Sequence, residues 1–179
     1  MIAVDTNILV YAHRARAPFH AAAHRCMIGL AEGRATWAIP WPCLHEFVCV
    51  VTHPRVFRPP TPLDDALGQV ESWLASPSLV VLGEPADYWS ALSGAARVAR
   101  AVGPLVYDAR IATICQLHGV RELWTADHDF TRFPGINVFN PLPADAVHEP
   151  APAYGTSRRA RAAARRRTVR RRALAALPE

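Results

Sequence analysis

Ile2-Ala3-Val4-Asp5-Thr6-Asn7-Ile8-Leu9 is the stretch from which the rest of the chain is read. Three apolar residues cut off by Asp5 read as a short buried strand. Residues 6–13, with Ile8, Leu9 and Tyr11 apolar, read as a helix that follows at once. An aspartate at such a junction also caps helices, so alone it says little.

The alternation continues outward. Pro18 opens a second helix to about residue 31, stopped by Gly33. Residues 36–39 form a second strand closed by Pro40. Pro42 starts a helix carrying Leu44, Phe47, Val48 and Val51, which ends before Pro54. Residues 55–62 are proline-rich and extended. A helix over 63–75, a strand over 79–82 and an alanine-rich helix over 86–102 follow. Gly103-Pro104 breaks that helix; another runs over 105–118 with Gly119 as its cap. Residues 122–125 are a fourth strand, Asp127-His128-Asp129 a polar turn and 136–139 a fifth strand. Strands alternating with helices imply a parallel sheet covered on both faces.

The pattern fails after Pro141, where prolines give way to an arginine run. We therefore expect a globular domain over 1–144 and an extension over 145–179, disordered or marginally helical. Nine of the 20 basic residues lie between Arg158 and Arg172, and Glu179 is the only acid after Glu149. Residues 1–149 thus hold 11 arginines against 14 acids, a net of −3 beneath an overall +5. The tail, beginning with Arg158 and Arg159, has the charge to attract RNA in a salt-sensitive way.

Nothing near the length of a membrane span and no basic leader ahead of an apolar run is present, so a soluble cytoplasmic protein is expected. Cys26, Cys43, Cys49 and Cys115 form no C-x-x-C pair and read as buried, reduced thiols. No G-x-G-x-x-G or other phosphate-binding glycine loop occurs, which argues against dinucleotide or nucleoside-triphosphate chemistry.

Four acids fall at one predicted rim. Ligands of open α/β sheets bind beyond the carboxyl ends of the strands. Asp5 ends the first strand and Asp127 lies just past the fourth. Asp108 lies in the first turn of its helix, where the helix dipole favours a carboxylate. Glu46 sits about 200° round its helix from Leu44, off the Phe47/Val48/Val51 stripe. Converging carboxylates repel, and divalent cations relieve them. Mg²⁺ and Mn²⁺ prefer oxygen ligands. Two such ions roughly 4 Å apart can activate water and stabilise the leaving oxygen of a phosphodiester.

The chain resembles the PIN-domain family, and more closely the VapC-type toxins of bacterial toxin–antitoxin pairs. The motifs that carry the resemblance are Val4-Asp5-Thr6-Asn7-Ile8-Leu9, Glu46, Tyr107-Asp108-Ala109 with Ile111-Ala112, and Thr125-Ala126-Asp127-His128-Asp129-Phe130, spread over about residues 1–142. It implies a three-layer fold with a parallel five-stranded sheet in the order 3-2-1-4-5. It also implies a Mg²⁺- or Mn²⁺-dependent endoribonuclease, usually a homodimer, inhibited by a small antitoxin protein. Asp5, Glu46, Asp108 and Asp127 then match the metal-binding acids. Thr6, Asn7 and Thr125 match supporting polar positions, with Asp129 auxiliary. The arginine tail lies outside the resemblance.

Several residues stand beside this set. Arg55 and Arg58 flank Phe57 in the proline-rich loop, expected near the active-site helix and able to grip RNA or simply be solvated. His20 and His24, four apart, lack a third ligand and read as a surface pair. His45 and His128 read as solvated or partly packed, with RNA phosphate as the alternative. The five tryptophans are expected mostly in the core; Trp41, between Pro40 and Pro42, has base stacking as its other reading. Two rivals remain: a phosphatase using Asp5 as nucleophile, with Asn7 where a general acid would stand, and a PIN-like binding module without catalysis.

Overall fold

The computed structural model describes residues 1–143. The extension over 145–179, with Arg158 and Arg159, lies outside the described residues. Five strands form one parallel sheet: β1 (Ile2–Val4), β2 (Trp37–Pro40), β3 (Leu79–Leu82), β4 (Glu122–Trp124) and β5 (Asn137–Phe139). Their order is β3-β2-β1-β4-β5, as expected. The helices are α1 (Thr6–His13), α2 (His20–Ala31), α3 (Trp41–Val51), α4 (Leu63–Leu74), α5 (Tyr88–Ala99) and α6 (Leu105–Leu117), with a short 3-10 helix at His128–Arg132.

The chain steps from β1 to β2 to β3 in one direction, then crosses to β4 and β5 on the other side. Right-handed crossovers therefore place α1–α4 on one face and α5–α6 on the other. The packing agrees: α1 meets α2 and α3, α3 meets α4, while α5 and the 3-10 helix meet α6. The central strands are sealed on both faces. Ala3, Val4, Trp37, Ala38, Ile39 and Leu123 are all fully buried. Ile8, Leu9, Phe47 and Ile114 close the core from the two helical layers.

Several element ends shift by one or two residues from the sequence reading, and three differences have a clear local reason. Pro18 lies in a turn, with Ala17 N–H bonding Arg14 C=O at 2.8 Å and His20 N–H bonding Ala17 C=O at 3.1 Å. The α1–α2 reversal takes up the proline, and α2 starts only at His20. Helix α5 stops at Ala99 because Arg100 turns left-handed (φ 50°) and Ala101 N–H closes back on Ala96 C=O at 2.8 Å. The polar turn after β4 winds into the 3-10 helix once Asp127 caps it.

Burial corrects two further expectations. Trp37 and Trp73 are in the core, but Trp89 is 73% exposed and Trp41 is 42% exposed. Cys43 and Cys115 are buried, whereas Cys26 is half-buried and Cys49 lies at the surface; all four are free thiols. None of the described helices is long and apolar enough to cross a membrane.

Candidate acidic site

The site begins where the strand order reverses. Val4 pairs with Trp124, and the Asp5 amide donates to the Trp124 carbonyl at 3.0 Å. Asp5 therefore lies level with Thr125 at the β1–β4 seam, the crevice where such sheets bind ligands.

Asp5 is buried and both of its carboxylate oxygens accept hydrogen bonds. Oδ1 accepts from the Thr6 amide at 2.7 Å. Oδ2 accepts from Asn7 Nδ2 at 2.6 Å and from the Thr125 hydroxyl at 2.7 Å. The capping reading and the site reading of Asp5 thus hold together, since its side chain also caps α1. Thr125 Oγ1 in turn accepts from Asn7 Nδ2 at 2.8 Å and from the Asp127 amide at 3.0 Å. One donor and two acceptors exhaust a hydroxyl. Asn7 Oδ1 accepts from the Ala126 amide at 3.1 Å, so both ends of that side chain tie the start of α1 to the turn after β4.

Glu46 comes from α3. Cys43, one turn earlier, sets its thiol 3.8 Å from Asp5 Oδ1, which shows that this flank of the helix faces the crevice. Glu46 follows on the same flank and accepts from the Thr6 hydroxyl at 2.8 Å. Asp127 caps the 3-10 helix, its Oδ1 accepting from the Asp129 amide at 2.9 Å. Asp108 stands in the first turn of α6. Among the described residues its carboxylate receives no hydrogen bond and no ion pair; the only ion pair found among them joins Arg110 to Glu84 at 2.7 Å.

Electrostatics ties the four segments together. Burial pushes the Asp5 carboxyl up to about 7, and the charges of Glu46 and Asp127 add to this while Thr125 and Thr6 oppose it. Burial also raises Asp108 to about 8, with Asp127, Asp5, Asp129 and Glu46 all pushing the same way. Glu46 is raised by burial and by Asp127, with the Thr6 hydroxyl pulling against them. Asp5 and Asp108 are therefore raised by charges from distant segments, Asp127 lying 122 residues from Asp5 in sequence. As they stand, no three His, Cys, Asp or Glu side chains among the described residues are grouped so as to hold one ion.

Thr6, Asn7 and Thr125 are the hydrogen-bonding frame of this cluster, and Asp129 is an exposed acid at its edge. No hydrogen bond or ion pair among the described residues joins Arg55 or Arg58 to it. Helices α1 and α3 both start at the rim and run away from it. The loop is fastened to their far ends, where Arg14 lies over the Phe57 ring at 4.2 Å and bonds Thr61 at 2.9 Å and Pro59 C=O at 3.1 Å. His20 and His24 pack ring against ring at 5.2 Å with no third ligand between them. Cys43 is the site neighbour that its residue type did not announce; its place three residues before Glu46 was the only signal. A nucleophilic Asp5 would lack its general acid, because Asn7 stands in that place and serves only as a donor to Asp5 Oδ2.

Comparison with known proteins follows the same lines. The profile of the PIN domain matches residues 2–136. Ribonuclease VapC43 of Mycobacterium tuberculosis is 34% identical over 142 residues, 79% of this chain and 96% of that protein. Ribonuclease VapC48 of the same organism is 28% identical over 138 residues, covering 77% and 95%. Among solved structures, VapBC2 from Rickettsia felis bound to a DNA fragment from its promoter superposes with a TM-score of 0.59 at 20% identity, over 80% of this chain and 100% of that one. Mycobacterium tuberculosis VapC20, described as a Sarcin-Ricin loop cleaving toxin, gives 0.55 at 20% identity over 73% and 93%. At that identity the two structures speak for the fold.

Proposed function

The chain belongs to the PIN-domain family, among the VapC ribonucleases, and from that premise we propose that it is a metal-dependent endoribonuclease, the toxin of a type II toxin–antitoxin pair. The observation that carries this reading is the mutual charge of Asp5, Glu46, Asp108 and Asp127 at the strand-order reversal, with two of them pushed to about 7 and 8.

The residues suit a hard divalent cation. Every donor is a carboxylate oxygen, Asp108 has no other partner among the described residues, and no described arginine is ion-paired to the cluster. Asp5, Glu46, Asp108 and Asp127 would hold Mg²⁺ or Mn²⁺. When bound, the ion supplies charge neutralisation and Lewis acidity at the phosphodiester. Around it the chain's own groups orient. Thr125, Asn7 and the Thr6 amide fix the Asp5 carboxylate, the Thr6 hydroxyl aims Glu46, and the capped turn holds Asp127. Water oxygen adds to phosphorus and the P–O3′ bond breaks, leaving 5′-phosphate and 3′-hydroxyl ends; the proton lost by water balances the one gained by O3′.

The same uncompensated charge suggests how a small antitoxin would act, by inserting a basic side chain among the four acids in place of metal. The resemblance also implies a homodimer, tested by sedimentation of the purified chain. We place the nuclease domain at 1–144 and assign 145–179, with Arg158 and Arg159, to salt-sensitive attraction of RNA. Truncation after Pro143 should flatten the salt dependence of RNA binding.

The deciding experiment incubates partner-free protein, with Mg²⁺ or Mn²⁺, with a mixture of structured RNAs. Discrete cleavage by the natural chain and none by Asp108→Asn is the expected result. Inactivity of the metal-loaded natural chain across that mixture would return the protein to the class of non-catalytic binding modules.

A further inference from the structure

The rim carries a second feature that metal chemistry does not use. Trp41 is the first residue of α3, immediately after β2. Because Ala3 pairs with Ala38, the end of β2 at Pro40 lies level with Asp5. The Trp41 ring stacks on His45, one helical turn on, with centroids 5.8 Å apart and planes 27° from parallel. A Cβ on Gly83 would sit 3.7 Å from Trp41 Cδ1, so the indole edge borders a bare glycine just past β3. Both rings are exposed, and among the described residues neither makes a hydrogen bond. Trp89 and Tyr107 are also exposed, yet among the described residues they stack on no other ring.

An indole left in water forgoes the burial that would stabilise it elsewhere. Here it is instead flattened against His45, on the β3-facing side of α3 and at the same strand-end rim as Asp5. RNA has two parts to offer at this point. Its phosphates are repelled by the four acids until cations intervene, and no described arginine is ion-paired there. Its bases carry no charge, and each presents a flat face that stacks on an aromatic ring whatever its identity. Only an unpaired, splayed base can do so.

We propose that Trp41 and His45 form a stacking platform, over the ends of β2 and β3, for an unpaired nucleobase flanking the scissile phosphate. This rests on the ribonuclease reading of the acidic site. The platform selects single-stranded or looped RNA over duplex. It is sequence-tolerant and holds the strand where it leaves the cleft over the ends of β2 and β3.

The test uses the full chain and a short single-stranded oligoribonucleotide containing its cleavage site. Trp41→Ala should lower kcat/KM about 10-fold, with the loss carried by KM. Trp41→Phe should recover most of it, and His45→Ala should lose less than Trp41→Ala. An abasic nucleotide beside the scissile bond should cost the natural chain a similar factor and cost Trp41→Ala nothing more, since the contact is already gone. A structural role for Trp41 would not produce that non-additivity. Equal kcat/KM for the natural chain and Trp41→Ala, or full additivity at every flanking position, overturns the platform while leaving the nuclease intact. If the natural chain cuts nothing, the nuclease reading fails. Oligonucleotide affinity by fluorescence polarisation then decides the platform alone: a roughly 10-fold loss in Trp41→Ala supports it, and equal or absent binding removes it.

Discussion

Asp5 and Asp108 face the same crevice and are both driven towards the neutral form, yet the chain treats them differently. Asp5, on the sheet side, is met by the Thr6 amide, Asn7 and Thr125. Asp108, on the α6 side, is met by no hydrogen-bond donor among the described residues and by the charges of four other acids. One wall is built around its carboxylate before any ion arrives. The other holds a carboxylate with no donor among the described residues, left to a proton or an added cation. The difference teaches that a site of this kind needs one fixed reference point, and that the remaining ligand can be left for the metal to satisfy.

Substituting each wall in turn should separate them most. Asp108→Asn should cut RNA cleavage by at least ~1,000-fold. It should also raise the melting temperature of the metal-free protein at pH 8.5 by about 5 °C, because a buried charge is removed and no hydrogen bond is lost. Asp5→Asn should lose as much cleavage but gain much less stability. Its amide turns a donor towards groups that are themselves donors, leaving at least one of them unpaired. Equal stabilisation by the two variants in a thermal melt would break the contrast.

The pH dependence follows from the same pair. Both carboxyls have folded values, about 7 and about 8, above the unfolded 3.8. The stability they give is fully present below that unfolded value and is lost as pH rises through the folded ones. Metal-free protein should therefore melt several degrees lower at pH 8.5 than at pH 5.5, and Mg²⁺ or Mn²⁺ should restore most of the difference at the higher pH only. A melting temperature indifferent to the metals at pH 8.5 would count against a cation site on either wall.

Thr125→Val tests the buttress without touching an acid. The shape is kept, but Asp5 loses a donor while Asn7 and the Asp127 amide lose an acceptor. A loss of about 1–3 kcal/mol in chemical denaturation is expected. Cleavage should fall about 10- to 100-fold, as for other groups that orient a ligand. Wild-type stability in this variant would mean that the ring of hydrogen bonds around Asp5 does not hold it.

Much of this was legible before any coordinates. The alternation of strands and helices gave a parallel sheet, and the resemblance gave its order. Asp5, Asp108 and Asp127 fell at the rim because strand ends and helix starts are readable from a few residues. What stayed hidden depends on distance through space. Nothing local shows that the proline-rich loop is fastened to Arg14 at the end of α1; that follows from how α1 and α3 pack. The Cys43 contact with Asp5 likewise depends on the phase of α3 against β1, which sequence period alone leaves loose. The surroundings of the Trp41 ring include a glycine 42 positions away, as well as a histidine one turn on.

Glu46 lies between the two extremes, and its variants should give the smallest effect. A single hydrogen bond, from Thr6, holds it. In Glu46→Gln the remaining carbonyl oxygen still accepts from that hydroxyl, so the fold should change by no more than about 1 kcal/mol while one negative charge leaves the cleft. Cleavage should then fall about 10- to 100-fold, with a matching rise in the Mg²⁺ or Mn²⁺ concentration needed for half-maximal rate. Thr6→Val should mimic the metal shift with the charge retained, because an unaimed carboxylate must be ordered when the ion binds. If Glu46→Gln behaves like Asp108→Asn in both cleavage and metal-free stability, Glu46 belongs to the unsupported wall and its bond to Thr6 does no positioning.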